Sequence, residues 1–192
     1  IVPGGGTYGM EAVARQFANG VKCLVIRNGW FSFRWSQIFD AGSIPSETVV
    51  LKARPVEGGA NPAYAPAPIE EVVATIAREK PALVFAPHVD MKATGVDILI
   101  SAPQKGWSAS PCSALVMMSE AARKAIDATT SSSFACDLRK WLQIMEAYEG
   151  GGHAYHATMP TDALVKFHAS MMETAEYGFD KVKAEQQELG DR

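Results

Sequence analysis

Val96-Asp97-Ile98-Leu99-Ile100-Ser101-Ala102-Pro103-Gln104-Lys105-Gly106-Trp107 is the stretch on which the reading of this chain turns. It opens as an apolar run rich in β-branched residues, the composition of a buried strand. It then empties into a loop of small residues that carries one lysine, and Ser108-Ala109-Ser110-Pro111-Cys112-Ser113 continues the small-residue run. A lone lysine is ordinarily a solvated surface group. A lysine that must attack a carbonyl has to be partly desolvated, so that its amine can shed a proton. Lys105 follows the carboxyl end of a strand, which is where such a lysine would be useful.

Working outward, strands and helices alternate. Met10 to Asn19 has apolar residues at helical spacing, with Gly20 at its end, a common helix stop. Val21–Ile26 and Thr48–Ala53 read as strands, and 57–68 as a loop rich in Pro and Gly. A helix is expected from Ile69 to Arg78, and another from about Phe33 to Gly42. Further strands are expected at Ala82–Ala86, Val96–Ile100 and Ala114–Met118. Helices follow at Glu120–Asp127 and Asp137–Tyr148, with one long helix from Pro160 to about Leu189. This alternation predicts an α/β fold, a mainly parallel sheet covered by helices on both faces. Ligands of such sheets bind at the carboxyl ends of the strands. That rule points to the loops at Gly4–Gly9, Asn28–Phe31, Pro87–His88 and Ser101–Lys105.

Gly4-Gly5-Gly6-Thr7-Tyr8-Gly9 satisfies G-x-G-x-x-G between a strand and a helix. Backbone N–H groups at a helix N-terminus attract phosphate, and missing side chains let it approach. The same glycines would also serve a plain tight turn. A dinucleotide-binding reading wants an acidic residue at the end of the second strand. Here that strand ends in Arg27-Asn28. A nucleotide-triphosphate loop would need Gly-Lys-Ser/Thr, which does not follow.

The 192 residues carry a formal net charge of −3, with 47% hydrophobic and 20% charged residues. That is an ordinary globular composition for one core. No long basic run is present, so neither nucleic acid nor an anionic membrane is an expected partner. Cys23, Cys112 and Cys136 are far apart and lack C-x-x-C pairing, which argues against a disulfide framework and favours a reducing cytoplasm. His153 and His156 have no third ligand at suitable spacing, so no metal is expected. His88 ends a strand at the ligand edge, where it would face a substrate or pack. Arg15 and Arg34 read as salt-bridge or surface groups.

Four segments together resemble class V aminotransferases, near the alanine–glyoxylate and serine–pyruvate branch. Ser101–Trp107 resembles the lysine loop of that family. Pro3 to Ala12 is similar to its phosphate cradle, and Asn28-Gly29 to the loop that supplies a ring-stacking aromatic. Tyr155-His156-Ala157-Thr158-Met159-Pro160 resembles the segment that reaches a neighbouring subunit's cofactor. The resemblance implies a pyridoxal 5′-phosphate (PLP) enzyme with Lys105 as Schiff-base lysine and general base. It implies that Gly6 and Thr7 bind the phosphate and that Phe31, or its neighbour Trp30, stacks on the pyridine ring. Gln104 would lie beside the phosphate or the cofactor hydroxyl. Tyr155 and Thr158 would cross a dimer interface to the partner's phosphate; read without the resemblance, they form a loop and a helix cap. The implied reaction is transamination between a small amino acid and a 2-oxo acid such as glyoxylate or pyruvate. Residues 1–159 would be the central part of the PLP-binding large domain, and 160–192 would lead toward a small domain.

The chain departs from that family in three ways. It starts at Ile1 inside a strand, without the strand-and-helix segment that the family has before the glycine turn and without a signal-peptide layout, and is expected to be a fragment. It lacks the C-terminal small domain with its carboxylate-binding arginine. Between His88 and the Lys105 strand it lacks the strand ending in an aspartate for the pyridine nitrogen. Asp90 does not fill that role, because it matches the segment just before the lysine strand. A break in the chain is therefore expected between His88 and Met91. Two other readings stay open: a nicotinamide-dependent oxidoreductase using the Gly4–Gly9 turn, and a non-catalytic remnant of the PLP fold. A desulfurase would need a nucleophilic cysteine on a mobile loop, and neither Cys112 nor Cys23 fits.

Overall fold

A computed structural model describes residues 1–59, 62–87 and 95–192. The chain opens with β1 (Val2–Pro3), α1 (Gly6–Phe17), β2 (Lys22–Arg27), α2 (Trp30–Gly42) and β3 (Glu47–Lys52). The Pro- and Gly-rich stretch holds a small antiparallel pair, β4 (Arg54–Pro55) with β5 (Tyr64–Ala65). Then come α3 (Ile69–Glu79), β6 (Leu83–Phe85), β7 (Ile98–Ser101) and β8 (Ser113–Met118). Four helices follow: α4 (Glu120–Ala128), α5 (Leu138–Glu149), α6 (Thr161–Tyr177) and α7 (Phe179–Gly190).

The main strands form two three-stranded sheets. In the first, β2 lies between β3 and β6 and is parallel to both, with Val25 opposite Val50 and Phe85. In the second, β8 lies between β1 and β7 and runs against both, with Val2 opposite Ala114 and Leu99 opposite Met117. β1 and β7 therefore share a direction, and β8 is the reversed strand. The cause lies in the connection: residues 102–112 join β7 to β8 without a helix. A parallel return needs a crossover, whereas an antiparallel neighbour can be reached through a loop.

The α/β architecture follows the burial pattern of β2. Cys23, Leu24 and Val25 have no exposed surface. Cys23 and Val25 pack with Ala14, Ile38 and Phe39 of α1 and α2. Leu24 packs with Leu51 and with Val72 of α3. Helices thus cover both faces of the parallel sheet. In the second sheet α1 lies over the face of Ile98, Ile100, Ala114 and Val116. On the opposite face Leu99 and Leu115 are half-buried and Met117 is exposed.

Among the described residues no ladder joins β6 to β7. A cavity of about 400 Å³ separates them, walled by Leu83 and Phe85 on one side and Ile98 and Ile100 on the other. In sequence the family resemblance places its aspartate strand between β6 and β7, and no such strand occurs among the described residues. His88, Asp90 and the expected break between His88 and Met91 lie outside the described residues.

Three helix boundaries differ from the sequence expectation. α1 starts at Gly6 rather than Met10, so glycines of low helix propensity form its first turn, where tertiary packing overrides propensity. α2 starts at Trp30 rather than Phe33. The Ser32 hydroxyl accepts from the N–H groups of Asn28 and Gly29, at 2.8 and 2.9 Å, and so fixes the earlier start. The long helix expected from Pro160 to Leu189 is instead two, broken at Gly178 with φ +103°. By contrast α5 starts where expected, because the Asp137 carboxylate accepts from the Arg139 and Lys140 N–H groups.

Candidate active site

The glycine turn is set by how closely α1 approaches the second sheet. A Cβ on Gly9 would lie 2.6 Å from that of Ala114 and 3.0 Å from Cγ2 of Ile100. Only a residue without a side chain lets the helix rest so near β7 and β8. A Cβ on Gly6 would come within 3.3 Å of that of Ala102. The first turn of α1 therefore sits beside the start of the lysine loop, with its N–H groups at the sheet's carboxyl edge.

The lysine loop is folded on itself. The N–H of Ser108 donates to the Lys105 carbonyl at 2.9 Å, and that of Ala109 to the Pro103 carbonyl at 3.1 Å. α6 and α7 brace it from outside. The Trp107 ring meets Phe167 at 5.9 Å and Phe179 at 6.3 Å, and Ser170 Oγ donates to the Trp107 carbonyl at 2.6 Å.

These elements meet around a second cavity, of about 630 Å³, a volume typical of small-molecule sites. Gly6, Thr7, Phe31, Gln104 and Lys105 all line it. Phe31 comes from the first turn of α2 and is largely exposed, offering an open ring face. The Lys105 ammonium lies 5.3 Å from the Phe31 ring centroid. Gln104 Oε1 is buried and has no hydrogen-bond partner. A buried acceptor left unpaired is costly, so this oxygen calls for a donor from a ligand.

Arg34 is a member of this wall that the sequence reading placed elsewhere. Its Nη1 donates to Thr7 Oγ1 at 2.7 Å, and its guanidinium lies 5.9 Å from the Phe31 centroid. Arg15 does form the expected salt bridge, to Glu11 at 2.7 Å. The wall of this cavity thus holds two cations, Arg34 and Lys105, and no carboxylate among the described residues. With the N-terminus of α1 added, the field favours an anion. The one available signal for Arg34 was its position seven residues after the strand end, which points inward once the helix starts at Trp30 rather than Phe33.

Tyr155 and Thr158 do not line this cavity. Tyr155 is 81% exposed, and its hydroxyl meets Thr158 Oγ1 at 3.5 Å. Between them, His156 packs: its Nε2 lies 2.8 Å from the Phe134 carbonyl and its ring 5.3 Å from that of Trp141. No group of three or more potential metal ligands occurs among the described residues. Burial pushes the Cys23 thiol up to about 11, so it stays protonated at neutral pH and is a poor nucleophile. Arg27, at the end of β2, is turned toward α2, with its guanidinium 4.9 Å from the Phe33 centroid and 3.5 Å from Ser36 Oγ. No described helix is long and apolar enough to cross a membrane.

No protein-family model matches the sequence, and no curated protein matches it. Solved structures do match the fold. Alanine–glyoxylate aminotransferase from Nostoc sp. is 18% identical, with a TM-score of 0.73 over 94% of this chain and 55% of its own. Ureidoglycine–glyoxylate aminotransferase from Bacillus subtilis is 18% identical, with a TM-score of 0.66 over 93% and 54%. Pyridoxamine–pyruvate aminotransferase from Mesorhizobium loti is 13% identical, with a TM-score of 0.70 over 95% and 54%. At these identities the likeness is one of fold. The chain spans about half the length of the structures it matches.

Proposed function

We propose that this chain is the cofactor-binding large-domain part of a class V aminotransferase. Such an enzyme would use PLP to move an amino group between a small amino acid and a 2-oxo acid such as glyoxylate or pyruvate. The observation that carries the reading is the convergence of Lys105, Phe31, Gln104 and the α1 N-terminus on one cavity. The fold neighbours add that two named aminotransferases act with glyoxylate and a third with pyruvate.

The donor set fits most of the cofactor. Gly6 and Thr7, at the N-terminus of α1, would hold the phosphate. The exposed Phe31 face would cover the flat ring. The unpaired Gln104 oxygen would accept from the cofactor hydroxyl. Lys105 would supply the amine that joins the aldehyde, and would then carry the proton at the substrate's α-carbon. When bound, PLP supplies the electron sink for that carbon.

Tyr155 and Thr158, exposed and away from their own cavity, would complete the site of a second copy in a two-fold dimer. PLP would then strengthen the dimer by linkage. Sedimentation with and without PLP tests this, and identical association in both states would remove the segment from the site. The chain would work in the cytoplasm. Residues 1–159 form the proposed large-domain region, and 160–192 lead toward a small domain.

One observation favours a second reading, a non-catalytic form of the same fold: the cavity wall has no carboxylate among the described residues to hold the pyridine nitrogen. The nicotinamide reading gains nothing: the second strand ends in no acid for a ribose hydroxyl, and Arg27, which could favour a 2′-phosphate, is engaged with α2. Adding PLP and then an amino acid separates the cases. A visible absorption band that borohydride abolishes, with 2-oxo acid released on turnover, supports the aminotransferase. A band without turnover, or no band at all, supports the non-catalytic form, and no band rejects the aminotransferase.

A further inference from the structure

We infer that Arg34 is a positioning residue of the anion site, acting through the Thr7 hydroxyl. A threonine hydroxyl has one hydrogen to give and two lone pairs, whereas a guanidinium can only donate. Arg34 Nη1 fills one lone pair of Thr7 Oγ1 at 2.7 Å. The hydroxyl hydrogen is thereby turned away from Arg34, and among the described residues it has no acceptor. Thr7 lines the cavity, so the hydrogen is left for a ligand, and an anionic oxygen is the acceptor that suits it. Donation from a cation also polarises the hydroxyl and makes it a stronger donor.

The charge of Arg34 is itself uncommitted. Arg15, Arg54 and Arg123 each pair with a carboxylate, namely Glu11, Glu71 and Glu146. Arg34 has no carboxylate within reach among the described residues, and it lies half-buried in a wall whose other cation is Lys105. The two cations stand at 5.9 and 5.3 Å from the Phe31 ring centroid. A flat anionic ligand over Phe31 would therefore have Lys105 and the Arg34–Thr7 pair as separate points of attachment. The identity of the anion as the cofactor's phosphate rests on the function proposed above.

The test uses inorganic phosphate, PLP and pyridoxal, the last having no phosphate, with the wild type and Arg34→Met, Arg34→Lys and Thr7→Val. A charge-assisted bond of this kind corresponds to about tenfold in affinity. Arg34→Met should weaken phosphate and PLP by about that factor and leave pyridoxal within about twofold. Arg34→Lys should recover part of the loss. The double variant with Thr7→Val should be no worse than the weaker single, because Arg34 acts on the anion through the hydroxyl that Thr7→Val removes. A merely structural tie between α1 and α2 would instead lower the melting temperature and weaken PLP and pyridoxal alike. That pattern, additive losses, or a wild type that binds no phosphate would overturn the inference. A wild type that binds phosphate but not pyridoxal would reject the cofactor reading, while the Arg34 effect on phosphate would still stand or fall.

Discussion

The parallel sheet and the antiparallel sheet of this molecule are built to different standards of burial. β2 is sealed on both faces and both edges, with Cys23, Leu24 and Val25 fully buried. Each residue of β7 is only half-buried, and the edge of β7 toward β6 faces a cavity rather than a neighbour. The candidate site spans both. Phe31 and Arg34 come from α2, which follows β2 of the parallel sheet, while Thr7 comes from the first turn of α1, after β1, and Gln104 and Lys105 from the loop after β7. The hydrogen bond from Arg34 to Thr7 bridges the two contributions. Close packing thus resides in one half and most of the polar groups of the candidate site in the other, a division common where binding elements are drawn from less stable parts of a fold.

This contrast can be broken by truncation. Leu24→Ala should destabilise the chain by roughly 2–5 kcal/mol, the usual cost of a cavity at a fully buried leucine. Leu99→Ala, on the half-buried strand, should cost only about 1 kcal/mol, because less surface returns to water. Chemical unfolding of both variants gives the comparison. Equal losses would mean that the second sheet is as tightly built as the first.

Gly9→Val probes the join between helix and sheet, with an effect between those two. The added Cβ would meet Ala114 at 2.6 Å, and overpacking of this kind costs about 1–3 kcal/mol. Since Gly9 is two residues from Thr7 on the same helix, displacement of α1 should also weaken phosphate binding. Thermal unfolding together with a phosphate titration reads both. A destabilised variant with unchanged phosphate affinity would uncouple the packing of α1 from the site.

The same division governs what the sequence made legible. β2 could be read from Val21–Ile26 because complete burial demands an unbroken apolar run. Lys105 stood out because another apolar run, Val96–Ile100, ended just before it, although that strand proves only half-buried. Boundaries set by single contacts could not be read. The first turn of α1, from Gly6 to Gly9, is packed closely against Ala102 and Ala114, contacts that no local pattern records. The break at Gly178 lay inside a stretch read as one helix, where a single glycine is no certain stop. Arg34 was misplaced because its partner is a hydroxyl 27 residues away rather than a carboxylate on its own helix. The reversal of β8 was within reach, since the 102–112 segment has too many small and helix-poor residues for a crossover.

The central proposal is that Lys105 would be the residue that joins the cofactor. Incubating the protein with PLP, reducing with borohydride and mapping the modified peptide by mass spectrometry tests it most directly. The account predicts one stoichiometric adduct, on Lys105, that is absent in Lys105→Ala although that variant keeps its melting temperature, because the side chain is exposed. An adduct on another lysine, or scattered substoichiometric labelling that Lys105→Ala leaves unchanged, would contradict it.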